Sequence, residues 1–145
     1  MEWEILHQVS HPLIVKGHQK LEDQENSYIV LDKIDGTDLF HLMRKRRLRP
    51  PEINFVVSQV VLVLQYLHSR NIAFRDIKPE NIMVERTGYI KLIDFGLSKQ
   101  LTKQRTYSFC GSPEYMAPEV IRKEGHSLSV DWWGLGVLIY ELYCG

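Results

Sequence analysis

At 145 residues the chain has room for one modest domain, and its 44% hydrophobic content excludes a disordered polymer. Its 18 basic and 18 acidic side chains cancel, so no bulk charge draws it to nucleic acid or an anionic membrane. The two cysteines, Cys110 and Cys144, lie far apart, which excludes a disulfide framework and a zinc spacing and suits a reducing compartment.

The chain opens Met1-Glu2-Trp3-Glu4, which is acidic rather than basic-then-apolar, so no signal peptide is read there. The longest apolar stretches, 56–67 and 134–140, fall short of the roughly 18 residues that a membrane span needs. The expected location is inside the cell, in the cytoplasm or the nucleus.

Trp3, Leu6 and Val9 recur at helical spacing, and Ser10-His11-Pro12 ends that helix. Residues 13–16 read as a short strand, 17–27 as a polar turn with poor strands, and 28–31 as a short apolar strand. Asp35-Gly36-Thr37-Asp38 offers a helix start ahead of Leu39-Phe40. The basic run Arg44-Lys45-Arg46-Arg47, with Arg49, reads as a solvated helix end in preference to a nucleic-acid patch.

Pro50-Pro51-Glu52 starts the next helix, with proline in the tolerated first turn. Ile53, Val56, Val57, Val60, Val61, Leu64 and Leu67 then fit a 3.6 period. Their β-branched content argues for strand, but the length decides for a helix that ends near residues 68–71. Two apolar runs, 82–84 and 90–93, flank the turn-like Glu85-Arg86-Thr87-Gly88-Tyr89 and predict a β-hairpin. Residues 95–118, rich in Ser, Thr, Gly and Pro, predict a long functional loop. Residues 130–143 predict a very apolar helix, buried on all sides.

The hairpin gathers the chemistry. If Glu85 pairs with Tyr89 or Ile90, Ile82 faces roughly Ile93, and Asn81 and Asp94 come side by side at its open end. Asp76 and Lys78 lie on the loop entering that end. Asn and Asp oxygens are hard ligands of the kind Mg²⁺ prefers, shared with substrate phosphates. The remaining carboxylate, Asp76, can accept a hydroxyl proton, and Lys78 can neutralise a transferring phosphoryl group. Positioning and electrostatics are nearly all that phosphoryl transfer requires of a protein. Without a cation, three such groups converging on one hairpin end would be a costly cluster.

Phe74-Arg75-Asp76-Ile77-Lys78-Pro79-Glu80-Asn81 resembles the catalytic loop of protein kinases. Asp94-Phe95-Gly96 resembles their magnesium-binding motif, and Ala117-Pro118-Glu119 the end of their activation segment. Asp131-Trp132-Trp133-Gly134 resembles the start of the central helix of their C-lobe. The resemblance spans essentially the whole chain. Residues 107–115 and the aromatic Phe74 are similar to the AGC group, the relatives of cyclic-nucleotide-dependent and ribosomal-S6 kinases.

The resemblance implies an α+β, kinase-like fold, mostly the helical C-lobe core with a remnant of the N-lobe. Residues 1–31 would end the N-lobe, 32–38 form the hinge and 39–145 begin the C-lobe. It implies serine/threonine phosphorylation with ATP and Mg²⁺ as cofactors. By it, Asp76 is the catalytic base, Lys78 steadies the γ-phosphate, and Asn81 and Asp94 hold magnesium. Ser108 is the activating phosphosite, with Arg75 and Lys99 as its cationic partners, and Ser112 is the hydroxyl that contacts the catalytic Asp and Lys. Leu31 falls at the gatekeeper, Asp32 and Ile34 at the adenine backbone contacts, Met83 at the floor of the adenine pocket, and Asp38 at a ribose contact. Glu2 falls on the glutamate that pairs with the N-lobe lysine. Asp38, Glu80 and Glu141 fall on acidic positions that read arginines upstream of the phosphoacceptor. Phe109, Pro113 and Met116 form the pocket for the residue after it. Taken singly, those three acids would be solvated surface groups, Met83 core, Cys110 a small packed residue and Ser108 one of many loop serines.

The implied partners are protein substrates with Ser or Thr near basic residues and an upstream activating kinase, with no nucleic acid and no membrane span. The chain departs from the family in carrying no glycine-rich loop and no Val-Ala-Ile-Lys lysine, and in having Gly17 and a polar stretch where the family has an apolar strand. It reads as starting after the nucleotide-binding half of the N-lobe and stopping at the end of the Asp131 helix, so by itself it is expected to be inactive. The alternative is a short, non-catalytic product acting as a binding or regulatory module.

Overall fold

The computed structural model of the chain describes residues 2–102 and 105–145. In chain order the elements are α1 (Glu2–Gln8), β1 (Gly17–Glu22), β2 (Ser27–Leu31), β3 (Gly36–Asp38), α2 (Leu39–Lys45), α3 (Pro50–His68), β4 (Ile72–Ala73), β5 (Ile82–Glu85), β6 (Ile90–Leu92), β7 (Lys99–Gln100), α4 (Pro118–Ile121) and α5 (Ser129–Cys144). Single 3-10 turns occupy Pro79–Asn81 and Pro113–Tyr115. No helix among the described residues is long and apolar enough to cross a membrane. Helices and small antiparallel sheets share one main core, an α+β arrangement.

Helix α3 organises that core. Its first turn is closed by Glu52, whose carboxylate accepts the Arg49 amide at 2.8 Å. Ile53, Val56, Val60, Val63, Leu64 and Leu67 form the buried stripe that the 3.6 period predicts. Burying each such side chain is worth about 1.5–3 kcal/mol. Gln59, polar yet buried, accepts the Ile90 amide at 3.0 Å and donates to the Phe55 carbonyl at 3.0 Å, tying α3 to β6. Helix α5 packs on α3.

Helix α5 is not buried on all sides. Its buried residues, Val130, Asp131, Gly134, Leu135, Leu138 and Leu142, make a single stripe, while Trp132, Trp133, Tyr140 and Tyr143 are exposed. The described elements cover only one face, so an apolar composition did not translate into burial all round.

Residues 13–16 make no strand of their own. They run as a parallel bridge beside β6, with Leu92 donating to the Leu13 carbonyl at 2.8 Å and Val15 donating to the Leu92 carbonyl at 3.0 Å. The polar stretch forms a full β1–β2 ribbon, with a bulge at His18. Strands β3, β4 and β7 lack the alternating pattern that would announce them. Residues 95–118 do run as a long segment, in which 103 and 104 lie outside the described residues. Asp38 starts α2 as expected, accepting the His41 amide at 2.9 Å.

The hairpin β5–β6 has the tighter of the two registers, with Glu85 donating to the Tyr89 carbonyl at 2.8 Å. Ile82 therefore faces Leu92, one residue short of Ile93. In the basic run, Arg46 pairs with Glu52 at 2.9 and 3.0 Å, Arg47 donates to the Tyr143 carbonyl at 3.1 Å, and Arg44 lies over the Phe40 ring.

Candidate active site

The loop after β4 is pinned from beneath. Phe74 is fully buried and meets Phe95 edge-on, with ring centroids 5.1 Å apart. Arg75 adopts φ 70°, a left-handed conformation that costs a bulky residue free energy and persists only when its surroundings dictate it. Asp131 of α5 does so. It accepts the Phe74 amide at 2.9 Å and the Arg75 amide at 2.7 Å, and its carboxylate lies 2.8 Å from His68 Nε2. Asp131 is 1% exposed, so these contacts offset the cost of burying it. Its role was not read from the sequence. The available signal was a carboxylate opening an otherwise apolar helix.

Asp76, which follows, is also buried. Its Oδ2 lies 2.8 Å from the Lys78 ammonium and accepts the Asn81 side-chain amide at 2.8 Å. Its Oδ1 accepts the Ser112 hydroxyl at 2.9 Å and the Ser112 amide at 3.1 Å. Burial alone would raise the Asp76 carboxyl; Lys78, Ser112 and Asn81 outweigh it and hold the pKa below the usual aspartate value. Lys78 also donates to the Ser112 hydroxyl at 2.9 Å. Asp76, Lys78, Asn81 and Ser112 thus form one closed network.

Asn81 leads into β5, and its carbonyl accepts the Ile93 amide at 2.9 Å, so Asp94 comes one step beyond its cross-strand partner. Asp94 takes φ 61° and accepts the Gly96 amide at 3.1 Å. Glu2 of α1 reaches the same point. Burial and then the Asp94 charge raise the Glu2 pKa, while the Phe95 amide, donating to Glu2, opposes them. Two carboxylates therefore face one another beside an amide whose nitrogen is already engaged with Asp76 and whose oxygen remains to accept. That donor set fits a hard divalent cation.

The residues expected around the nucleotide are spread along residues 32–38 and the β5–β6 hairpin. Met83 and Asp38 are cross-strand partners in β5 and β3. Ile34 is half-buried against the main core, and exposed Asp32 meets His18 Nε2 at 2.5 Å. Asp38 turns its carboxylate onto His41, 2.7 Å from Nδ1, capping α2. Of the acidic positions Glu80 and Glu141, Glu141 accepts the Tyr115 hydroxyl. Burial, then Glu141, Glu80 and Glu114, push the Tyr115 phenol well above its usual range. Tyr115 was not singled out from the sequence.

Ser108 is exposed, 3.3 Å from the Thr106 hydroxyl, which in turn accepts from Lys99 at 2.9 Å. Arg75 donates Nε to the Leu97 carbonyl at 2.8 Å, and one of its terminal guanidinium nitrogens is buried without a hydrogen-bond partner among the described residues. Burial first, then the Arg75 charge and that of Lys99, lower the pKa of His126, which is also buried, while Glu119 and Asp131 oppose them. Phe109 is exposed under the Lys123 ammonium, Pro113 is exposed, and Met116 packs on a small cluster of Ala117, Val120 and Val130.

Comparison with known sequences matches the protein kinase domain family over residues 1–145. The chain is 44% identical to a cAMP-dependent protein kinase catalytic subunit of Arthrobotrys oligospora, over 99% of its length and 28% of the relative's. It is 45% identical to protein kinase 2 of Dictyostelium discoideum, over 97% of the chain and 30% of the relative. Identity to human ribosomal protein S6 kinase alpha-6 is 46%, over 100% of the chain and 20% of the relative. The chain belongs to the protein kinase family, and the cAMP-dependent and ribosomal S6 kinases it matches are of the AGC group. It spans about a fifth to a third of the length of these curated relatives.

Proposed function

We propose that the protein carrying this chain transfers phosphate from ATP to serine or threonine in proteins, with arginine preferred upstream of the acceptor. The observation that carries this reading is the Asp76 carboxylate, kept ionised by Lys78, Ser112 and Asn81 at the end of the hairpin that bears Asp94. Residues 1–31 are then the end of an N-lobe, 32–38 a hinge and 39–145 the first part of a C-lobe. Asn81 and Asp94 would hold Mg²⁺, which would screen the charge of the phosphoryl group that ATP supplies.

Asp76, ionised at neutral pH, accepts the hydrogen of the incoming hydroxyl and aims its oxygen. Lys78 sets a positive charge beside that oxygen, and Ser112 ties both groups to the peptide-binding segment. Asp32, Ile34 and Met83 border the adenine and Asp38 the ribose. Glu2 reaches the Asp94 side of the phosphates. Phe109, Pro113 and Met116 receive the residue after the acceptor.

Glu80 and Glu141, whose charges both act on the Tyr115 phenol, supply the negative charge that reads upstream arginines. The test uses two serine peptides, with and without arginine three residues upstream, and labelled ATP. The protein should favour the arginine peptide on the order of tenfold, and Glu80→Gln should remove most of that preference without abolishing transfer. Equal preference in both proteins would defeat the arginine assignment; no transfer to either peptide would defeat the activity.

A further inference from the structure

Gly17 opens β1, and over it stands the indole of Trp3. A Cβ at position 17 would lie 3.1 Å from Trp3 Cζ3, 3.6 Å from Trp3 Cε3 and 3.6 Å from Leu6 Cβ. Gly17 is not among the glycines with positive φ, so torsional freedom does not account for it. What position 17 supplies is space: the ring reaches the strand because no side chain stands between them.

That contact bears on α1 as a whole. A seven-residue helix has little stability of its own, so what its side chains touch sets its rotation and axial position. Ile5 and Leu6 enter the main core, and Trp3, stacked on His7 at 5.4 Å between centroids, fills the gap at Gly17. Glu2 precedes Trp3 on the same turn. A Cβ on Gly96 would lie 3.8 Å from Glu2 Oε2, so a small rotation of α1 would withdraw that carboxylate from the Asp94–Gly96 turn.

We propose that Trp3 and Gly17 form an interlocked pair, ring in place of side chain, that fixes α1 so that Glu2 reaches the Asp94-Phe95-Gly96 turn. Trp3 is then a positioning residue for the candidate active site. Its importance for phosphoryl transfer rests on the functional reading above; the interlock itself does not.

Amide hydrogen exchange at Phe95, buried in the turn that Glu2 reaches, reads the interlock in the 145-residue chain, with Val63 and Leu64 of α3 as controls. Trp3→Ala should speed Phe95 exchange about tenfold and leave the α3 amides unchanged. Gly17→Leu, which drives a side chain into the ring, should do the same. The double variant should return Phe95 to within about twofold of wild type, because the leucine then fills the space the indole left. Unchanged Phe95 exchange in Trp3→Ala, or a double variant as fast as Trp3→Ala, overturns the proposal. Should a single variant also unprotect α3, the milder pair Trp3→Phe and Gly17→Ala is measured, and the same reversal is required of its double. An interlock found in a protein that transfers no phosphate would defeat the functional reading and leave this one standing.

Discussion

Asn81 donates its side-chain amide to Asp76 twice, at 2.9 Å to the carbonyl and 2.8 Å to the carboxylate. One side chain thereby fixes the loop that bears the candidate base. Both partners are buried, so removing the amide strips a charged acceptor of a donor. Asn81→Ala should cost about 2 kcal/mol of stability. Urea unfolding of wild type and variant measures it; a midpoint unchanged at equal slope would show the two bonds to be idle.

Acid should loosen the start of α3. Arg46 and Arg49 hold the Glu52 carboxyl down to about 2, against an ordinary 4.5. A folded-state pKa depressed in this way contributes stability that is fully present above about 4.5 and lost as pH falls toward about 2. Wild type should therefore melt above Glu52→Gln at pH 6, and the gap should close on the way to pH 2. A gap that does not change between those limits would assign Glu52 a purely packing role.

Phosphate on Ser108 should tighten the chain. It adds roughly −1.5 to −2 charges two residues from Thr106, which Lys99 holds, and next to Cys110 and Gly111, which line one cavity with Arg75. Charge-assisted bonds to those cations are worth about 1.5–3 kcal/mol. Thermal unfolding of the chain made with phosphoserine at 108 should show a higher midpoint than the unmodified chain, and the gain should shrink in high salt. A lower midpoint would mean that the phosphate is repelled or left in solvent.

Much of this site was legible in the sequence because its residues lie close together along the chain. The run from Phe74 to Asn81 and the triplet at Asp94 are joined by a hairpin whose turn and apolar runs give its register to within one residue. The α3 stripe was legible for the same reason, since a 3.6 period is a local signal. Long-range pairings were not. Asp131 acts on Phe74 and Arg75 from more than 50 positions away, Tyr115 donates to Glu141, and Trp3 fills the space at Gly17. Each depends on which surfaces meet, and composition misled where only one face meets anything, as on α5.

The central claim is that Asp76 and Asp94 serve one phosphoryl transfer, and the rate of that transfer tests it most directly. The protein carrying this chain is given labelled ATP, Mg²⁺ and an arginine-containing serine peptide, beside Asp76→Asn and Asp94→Asn. Wild type should label the peptide, each variant should be slower on the order of 10³-fold, and the double variant should be little slower than either single one. An Asp76→Asn protein that labels the peptide at the wild-type rate would contradict the account.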